Sequence, residues 1–326
     1  MIRIVLDATG GDDGLGPNVE GAKIAIETGL LDSSALSLVG PEEELRREVG
    51  RQGLDPSVEI VDAPDRLNGE SPVDALRFKK GNPIAVGLRL LKEGRASGFV
   101  SAGSTGHVVA SATTLLDRLP NVRRPGIAAT IKSDHGPVTV IDVGANPEPR
   151  ADDLVQYALM ATAHSKNVLG LESPRVGLMN IGSEDEKGHP LVRQVRSQLS
   201  EAAEPQGFRF VGNVEGGDVF QDVCDVIVCD GFTGNVLLKV SEGCAEFVLR
   251  GALRAMKEVG IEDSTCRDVA SRLRTRIDYA EYGGALLLGV DGVVTICHGR
   301  SNGSAIANAL DFTARSVLGA CEEGRA

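Results

Sequence analysis

The sequence has few aromatic residues and no tryptophan: its 326 residues include eight Phe and three Tyr. Carbohydrate clefts and base-stacking platforms depend on flat aromatic rings, so neither function is expected. Basic residues are also outnumbered, 34 against 46 acidic ones, and the formal net charge is −12. Nucleic-acid binding depends on neutralising phosphates with Lys and Arg, so nucleic acid is not expected as a partner.

Several catalytic and metal-binding motifs are missing as well. The six cysteines include no CxxC pair, and there is no HExxH motif, Gly-x-Ser-x-Gly elbow or Walker A loop. The glycines of residues 10–16 do not follow the Gly-x-Gly-x-x-Gly dinucleotide pattern, and Asp12 and Asp13 would repel a pyrophosphate. We therefore expect no metal site, no NAD and no covalent acyl-enzyme.

Long hydrophobic runs are absent too. No apolar stretch approaches the roughly 20 residues that span a bilayer. The strand-like segment IRIVLDA follows Met1 directly, without a signal peptide. These features predict a cytoplasmic protein that is soluble or bound peripherally to a membrane.

Glycine, by contrast, is abundant, with 40 residues, and it occurs in a repeating unit. A short apolar run ends in a turn rich in Gly, Ser, Asn and Asp, and a segment of helical periodicity follows. Strands that are apolar on both faces and alternate with helices are typical of a mainly parallel sheet covered on both sides. We predict a three-layer α/β/α fold in a single domain, residues 1–326. The apolar spacing over 236–278, broken near Gly260, predicts a helical hairpin insertion.

Polar residues end many of the apolar runs. In open parallel sheets the ligand lies outside the carboxyl ends of the strands, so these residues are expected to share one cleft. For each alone, a helix cap is an equally good explanation. The residues in this group are Asp7, Ser101, Asp142, Asn146, Asn180, Asp230, Thr233, Asn235 and His298.

The segment Ser101–His107, SAGSTGH, is the best candidate for an anion site. Gly103 and Gly106 allow a tight turn, while Ser104 and Thr105 provide hydroxyl groups. The helix that follows would direct free N–H groups and the positive end of its dipole at the ligand, an arrangement that suits phosphate.

Two further segments carry groups suited to acid–base chemistry. In Cys229–Asn235, CDGFTGN, Asp230 could orient a donor or accept a proton, and Asn235 could bind a carbonyl oxygen. His298 follows the last apolar run and is the natural candidate for an acid near neutral pH, although a lone histidine is often structural.

A series of motifs in fixed order resembles the bacterial phosphate acyltransferase (PlsX) family of phospholipid synthesis, over about residues 1–318. Ser104 stands where that family usually has Asn. The motifs are DATGGD, SAGSTG, RPGIA, DVGANPEP, LVQYALM, PRVGLMNIG with EDEKG, CDGFTGNVLLK, YGGALLLGVDG and CHGRSN.

The resemblance implies a homodimer with the fold of phosphate acetyltransferases and isocitrate-type dehydrogenases. It implies reversible acyl transfer from acyl-[acyl-carrier-protein] to inorganic phosphate without a cofactor, and a product that feeds a membrane glycerol-3-phosphate acyltransferase. His298, Lys187 or Lys239 could then assist the departing thiolate. Asn180 and Gly182 become candidates for substrate binding, together with Asp7, Asn146, Thr233 and Lys239.

Three alternatives remain open from the residues. One is a short-chain phosphate acetyl- or butyryltransferase that uses acyl-CoA. Another is a non-catalytic protein that binds the acyl carrier, and the third is an isocitrate-type dehydrogenase, which would respond to NAD(P).

The predicted hairpin is basic within an acidic chain. The segment from Arg250 to Arg276 contains seven basic residues and four acidic ones. An apolar stripe flanked by cations is typical of a helix that meets an anionic membrane surface or an acidic carrier protein. Packing against a second subunit would also explain it.

Overall fold

The computed structural model describes residues 2–133, 135–277 and 283–322. Their strands form one eleven-stranded sheet in the order β3-β2-β1-β4-β11-β10-β5-β6-β9-β7-β8. The strands are β1 (Ile4–Asp7), β2 (Leu36–Gly40), β3 (Glu59–Asp62), β4 (Gly98–Ser101), β5 (Gly126–Ser133), β6 (Gly136–Ile141), β7 (Arg175–Met179), β8 (Arg209–Val214), β9 (Val226–Val228), β10 (Ala285–Leu288) and β11 (Val293–Ile296).

The helices cover both faces of this sheet, as the strands that are apolar on both faces predict. On one face, α1, α2 and α10 pack on the first half of the sheet, and α6 and α7 on the second. The opposite face is covered by α4, α5 and the start of α8. The helices are α1 (Leu15–Glu27), α2 (Glu42–Gln52), α3 (Pro72–Phe78), α4 (Pro83–Lys92), α5 (Thr105–Leu115), α6 (Ala151–Asn167), α7 (Pro190–Ala202), α8 (Gly231–Glu258), α9 (Asp263–Ile277) and α10 (Gly303–Glu322). The predicted three-layer α/β/α architecture is confirmed.

The sheet is mainly parallel, but its two halves run in opposite directions. β10 is antiparallel to both β11 and β5, and β5 is antiparallel to β6. As a result, β6, β9, β7 and β8 run opposite to β1, β4 and β11. The carboxyl ends of the two sets of strands therefore point in opposite directions. One cleft shared by all the strand-end polar residues therefore does not follow from strand direction.

The predicted helical hairpin is present, although its first helix begins earlier than 236. α8 starts at Gly231 shortly after β9 and ends at Glu258, and α9 begins five residues later at Asp263. Leu249 of α8 and Cys266 and Ala270 of α9 are buried. Among the described residues, no helix is both long enough and apolar enough to cross a membrane.

Candidate active site

A cavity of about 1080 Å³ opens between three loops of the first half-sheet and the side of α8. Its polar wall consists of the loops after β1, β4 and β11. Its floor is formed by residues of β5, β10 and β11. Residues that line it include Gly11, Asp12, Gly103–Gly106, Ile127, Ala129, Asn235, Leu238, Lys239, Glu242, Ala285, Ile296 and His298–Asn302.

Asp7 and Ser101 hold the polar wall together from below. Both are fully buried, and the Ser101 hydroxyl donates to Asp7 Oδ2 at 2.7 Å while accepting from the Gly103 N–H at 3.0 Å. Burial raises the pKa of Asp7, against hydrogen bonds from Ser101 and Thr9 that lower it. Neither residue lines the cavity, so the geometry gives them a supporting position beneath the loop.

The loops after β1, β4 and β11 approach one another very closely. A Cβ on Gly10 would lie only 2.5 Å from the Gly103 nitrogen, so glycine is required there. The Asp12 N–H donates to the Gly299 carbonyl at 2.7 Å. These contacts fix the His298 loop beside the predicted phosphate loop.

The predicted phosphate loop is exposed to the cavity at the N-terminus of α5. Ser104, Thr105 and Gly106 are exposed and line the cavity. The Ser104 carbonyl accepts from the N–H groups of His107 and Val108, and the Ser104 side chain makes no capping hydrogen bond. The N–H groups of a first helical turn have no partner within the helix. This turn therefore presents N–H and hydroxyl donors to an anion.

His298 lies in the neighbouring loop of the same cavity wall and is half-buried. Its Nδ1 accepts the Arg300 N–H at 3.1 Å, so the neutral ring carries its hydrogen on Nε2. Burial lowers the pKa of His298, and the nearby charge of Lys239 lowers it further. The neutral ring, a hydrogen-bond donor through Nε2, is therefore the main form at pH 7.

The beginning of α8 is fixed by residues that sequence reasoning assigned to catalysis and binding. Asp230 caps the helix, accepting from the Thr233 N–H at 2.8 Å and from its hydroxyl at 2.7 Å. A Cβ on Gly234 would lie 2.0 Å from the Asp142 carbonyl oxygen, so the helix packs directly on that backbone. Asp230 and Thr233 do not line the cavity. Asn235, which lies two residues after Thr233 in α8, does line it.

Asp142 and Asn146 organise the loop against which α8 begins. The Asp142 carboxylate accepts hydrogen bonds from four backbone N–H groups. Three of them belong to the segment that follows β6, and the fourth belongs to Ile127. Burial raises the pKa of Asp142, and those N–H groups lower it. Asn146 is buried, its side chain contacts the Tyr157 hydroxyl at 3.2 Å, and its carbonyl accepts the Gly231 N–H.

Asn180, Gly182 and Lys187 lie away from the cavity. They follow β7 in the oppositely directed half of the sheet, and none lines the cavity. The Asn180 amide donates to the Lys187 carbonyl at 3.1 Å, and the Lys187 ammonium lies 3.9 Å from Glu184. The structure does not bring this group together with His298.

The structure also places residues in the cavity wall that sequence reasoning missed. Arg300 and Glu242 both line it. Arg300 is exposed, and Glu242 pairs with Lys239 at 2.9 Å. The position of Arg300, two residues after His298 and just before a helix, could have identified it. Among the described residues, no group of three or more His, Cys, Asp or Glu side chains is arranged to hold a metal ion.

Comparison with solved structures agrees with this architecture. A phosphotransacetylase from Streptococcus pyogenes aligns with a TM-score of 0.63 at 16% identity, covering 97% of this chain and 94% of that chain. The EutD phosphotransacetylase from Staphylococcus aureus aligns with a TM-score of 0.60 at 18% identity, with the same two coverages. At such low identity these likenesses establish the fold alone.

Sequence comparison is more specific. A phosphate acyltransferase from Halothermothrix orenii is 40% identical over 321 residues, which is 97% of this chain and 95% of that protein. One from Desulforamulus reducens is 41% identical over 322 residues, 97% and 94% of the two chains. A family model described as "Fatty acid synthesis protein" matches residues 2–320. The resemblance drawn from the motifs is thereby confirmed: the chain belongs to the fatty acid synthesis protein family of phosphate acyltransferases (PlsX), a family of acyltransferase enzymes.

Proposed function

We propose that this enzyme reversibly transfers a fatty acyl group from acyl-[acyl-carrier-protein] to inorganic phosphate, giving acyl phosphate for phospholipid synthesis. The observation that carries the proposal is that the N–H and hydroxyl donors at the α5 N-terminus share one cavity with His298 and an apolar floor. Phosphate is itself the nucleophile, so the protein has to hold it in line with the thioester carbonyl.

The reaction balances without a cofactor. A phosphate oxygen bonds to the carbonyl carbon, and the tetrahedral oxyanion that forms collapses as the carbon–sulfur bond breaks. The leaving thiolate takes up a proton from solvent or from the hydrogen phosphate. Ser104, Thr105 and the N–H groups of the first turn hold the phosphate, and Arg300 and Lys239 add positive charge.

His298 acts in this proposal as a hydrogen-bond donor. Its lowered pKa keeps it neutral, and the Arg300 N–H on Nδ1 leaves the hydrogen on Nε2. A neutral donor suits an oxyanion or a developing thiolate, because it stabilises charge that appears only in the transition state. Asn235, from the opposite wall, is the second candidate donor.

The direct test is to mix the protein with acyl-[acyl-carrier-protein] and phosphate and to measure acyl phosphate and free carrier thiol. Phosphate-dependent release of both, in equal amounts, supports the proposal. Release from short acyl-CoA but not from acyl-[acyl-carrier-protein] would support the acetyl- or butyryltransferase alternative. Binding without release would support a non-catalytic carrier-binding protein.

A homodimer belongs to the same proposal. Four apolar side chains on one face of α8 are strongly exposed: Phe232 (67%), Val236 (45%), Val240 (57%) and Phe247 (70%). Spacings of four, four and seven residues put them in one stripe. An apolar stripe of this kind is expected to be covered, and a second copy of α8 would present a matching one.

The hairpin tip is the proposed contact with an anionic membrane surface, where acyl phosphate would pass to the glycerol-3-phosphate acyltransferase. Val259 and Ile261 are exposed between α8 and α9, and Arg254, Arg267 and Arg272 are exposed on the two helices. The side chains of Arg274 and Arg276, also part of the predicted basic face, lie outside the described residues. Apolar and cationic groups together favour an anionic interface. The proposed location is cytoplasmic, with peripheral membrane attachment.

A further inference from the structure

The floor of the cavity contains a row of side chains that crosses three strands. Ala129 of β5 is directly opposite Ala285 of β10, and Ala285 is directly opposite Ile296 of β11. Directly paired residues project from the same face of a sheet, and all three line the cavity. Because two of the three are alanine, the side chains in this row are short and leave a depression in the surface of the sheet.

Larger side chains bound this depression on one side. Ile127 lies two residues before Ala129 and therefore on the same face, and it is paired with Leu287. Both are buried in the same core cluster as Ala129. The Ala129–Ala285 row is thus a trench beside a taller Ile127–Leu287 row.

The side of α8 forms the roof of the trench. Leu238, Ala245 and Leu249 line the cavity at spacings of seven and four residues, which places them on one face of the helix. The cavity wall follows α8 from Asn235 to Leu249, a rise of about 21 Å. The space is therefore an elongated groove, suited to an elongated ligand.

Polarity changes across the cavity. The donors for phosphate lie in the loops around Ser104 and His298, whereas Ala129, Ala285 and Ile296 of the floor and Leu238, Ala245 and Leu249 of α8 are apolar. The polar residues of α8 that line the cavity lie on an adjacent stripe of the helix: Asn235, Lys239, Glu242 and Glu246. A prosthetic arm with amide groups would leave those groups without partners over Ala129 and Ala285, at a cost in free energy, and an alkyl chain would not.

We propose that the groove between the Ala129–Ala285 row and α8 binds the hydrocarbon chain of the acyl group, and that these two alanines set the longest chain accepted. The inference rests on the proposed function, because it assigns a subsite to the acyl donor. A leucine at either position adds three carbon atoms to the trench and displaces about three methylene groups of the ligand. At about 0.8 kcal/mol per buried methylene, each displaced group weakens binding about fourfold.

The test compares kcat/KM for carrier protein loaded with acyl groups of about 4, 8, 12 and 16 carbons. The variants are Ala129→Leu, Ala285→Leu and, on the roof, Ala245→Leu. The matched control is Ala255→Leu, which makes the same change at an exposed position of α8 that does not line the cavity. We expect a loss of about 10- to 100-fold for the longest chain, little change for the shortest, and a wild-type profile in the control.

An equal loss at every chain length, or an unchanged profile in folded variants, overturns the inference. So does a wild-type enzyme that accepts only the shortest donor. If the strand variants do not fold, the chain-length profile of Ala245→Leu tests the inference, since this substitution changes a helix surface and not the sheet. A wild-type protein that forms no acyl phosphate from any donor contradicts the proposed function itself, and that result is distinct from the others.

Discussion

The backbone N–H of Arg300 donates to Nδ1 of His298 at 3.1 Å, so one residue of the loop determines which nitrogen of its neighbour carries the hydrogen. Replacing His298 with Ala should lower kcat by about 10²- to 10³-fold, the usual cost of losing one oxyanion donor. His298→Gln should recover part of this loss because its amide can donate. Equal losses in the two variants would contradict a donor role, and activity within a few-fold of wild type in His298→Ala would make the residue structural.

The low pKa of His298 can be tested without an activity assay. Burial and then the Lys239 charge keep this pKa below the ordinary 6.5. NMR titration of the imidazole should give a midpoint below 6.5 in the wild type and a higher one in Lys239→Met. The shift in the variant is upward because a cation is lost and Glu242 loses its partner. A midpoint that does not rise would contradict the electrostatic coupling across the cavity.

The phosphate loop predicts a selective change in KM. The double variant Ser104→Ala, Thr105→Val should raise the KM for phosphate about 10- to 100-fold, since hydrogen bonds to a charged ligand are lost. The KM for the acyl carrier should stay unchanged. Thr113→Val is the control, because that hydroxyl lies in the same helix and donates to the Val109 carbonyl. A normal phosphate KM in the folded double variant would remove the site from this loop.

The hairpin predicts charge-dependent attachment to vesicles. Changing Arg272, Arg274 and Arg276 together to Glu should abolish co-sedimentation with anionic vesicles, at about 1 kcal/mol per Arg. The same three changes on α2, at Arg46, Arg47 and Arg51, serve as the control. Binding equal to wild type, with the oligomeric state intact, would show that the basic face has no such role. A selective rise in the KM for the acyl carrier would instead indicate carrier docking.

Buried His164 predicts a loss of stability in acid. The ring packs edge-on against Phe312 with centroids 5.9 Å apart, and burial lowers the pKa of His164 to about 4. Because the unfolded chain binds the proton first, the stabilisation is complete above pH 6.5 and is lost as the pH falls towards 4. The free energy of unfolding should fall by about 3 kcal/mol more in the wild type than in His164→Met. Parallel pH profiles, measured by urea denaturation, would contradict this.

The layers of the fold could be predicted because local residues determine them. A run such as Ile4–Asp7, buried at every position, needs cover on both faces, and Gly260 with Asp263 marks the break between two helices. The same reasoning predicted a turn at Ser104 followed by a helix. This feature could be predicted because the start of α5 at Thr105 depends only on a few neighbouring residues.

The direction of the strands could not be predicted in this way. β10 pairs antiparallel with β5, although about 150 residues separate them in the chain. No local pattern records that pairing. Together with the antiparallel pairings of β10 with β11 and of β5 with β6, it makes the strands leading to Lys187 and to His298 run in opposite directions. Asp142 and Asp230 were misjudged for a related reason. A strand-end carboxylate looks the same in the sequence whether it accepts backbone N–H groups or faces a ligand.

The 28 residues of α8 form one continuous helix about 42 Å long. It is anchored at its base by Gly234 against Asp142, its middle forms the roof over Ala129 and Ala285, and its far end carries the hairpin tip. If the helix tilted as a unit by about 5° about Gly234, its far end, about 36 Å away, would move by about 3 Å and its middle by less. The membrane contact proposed for the tip and the acyl groove proposed for the middle therefore share one helix, and a tilt of that helix would alter both at once.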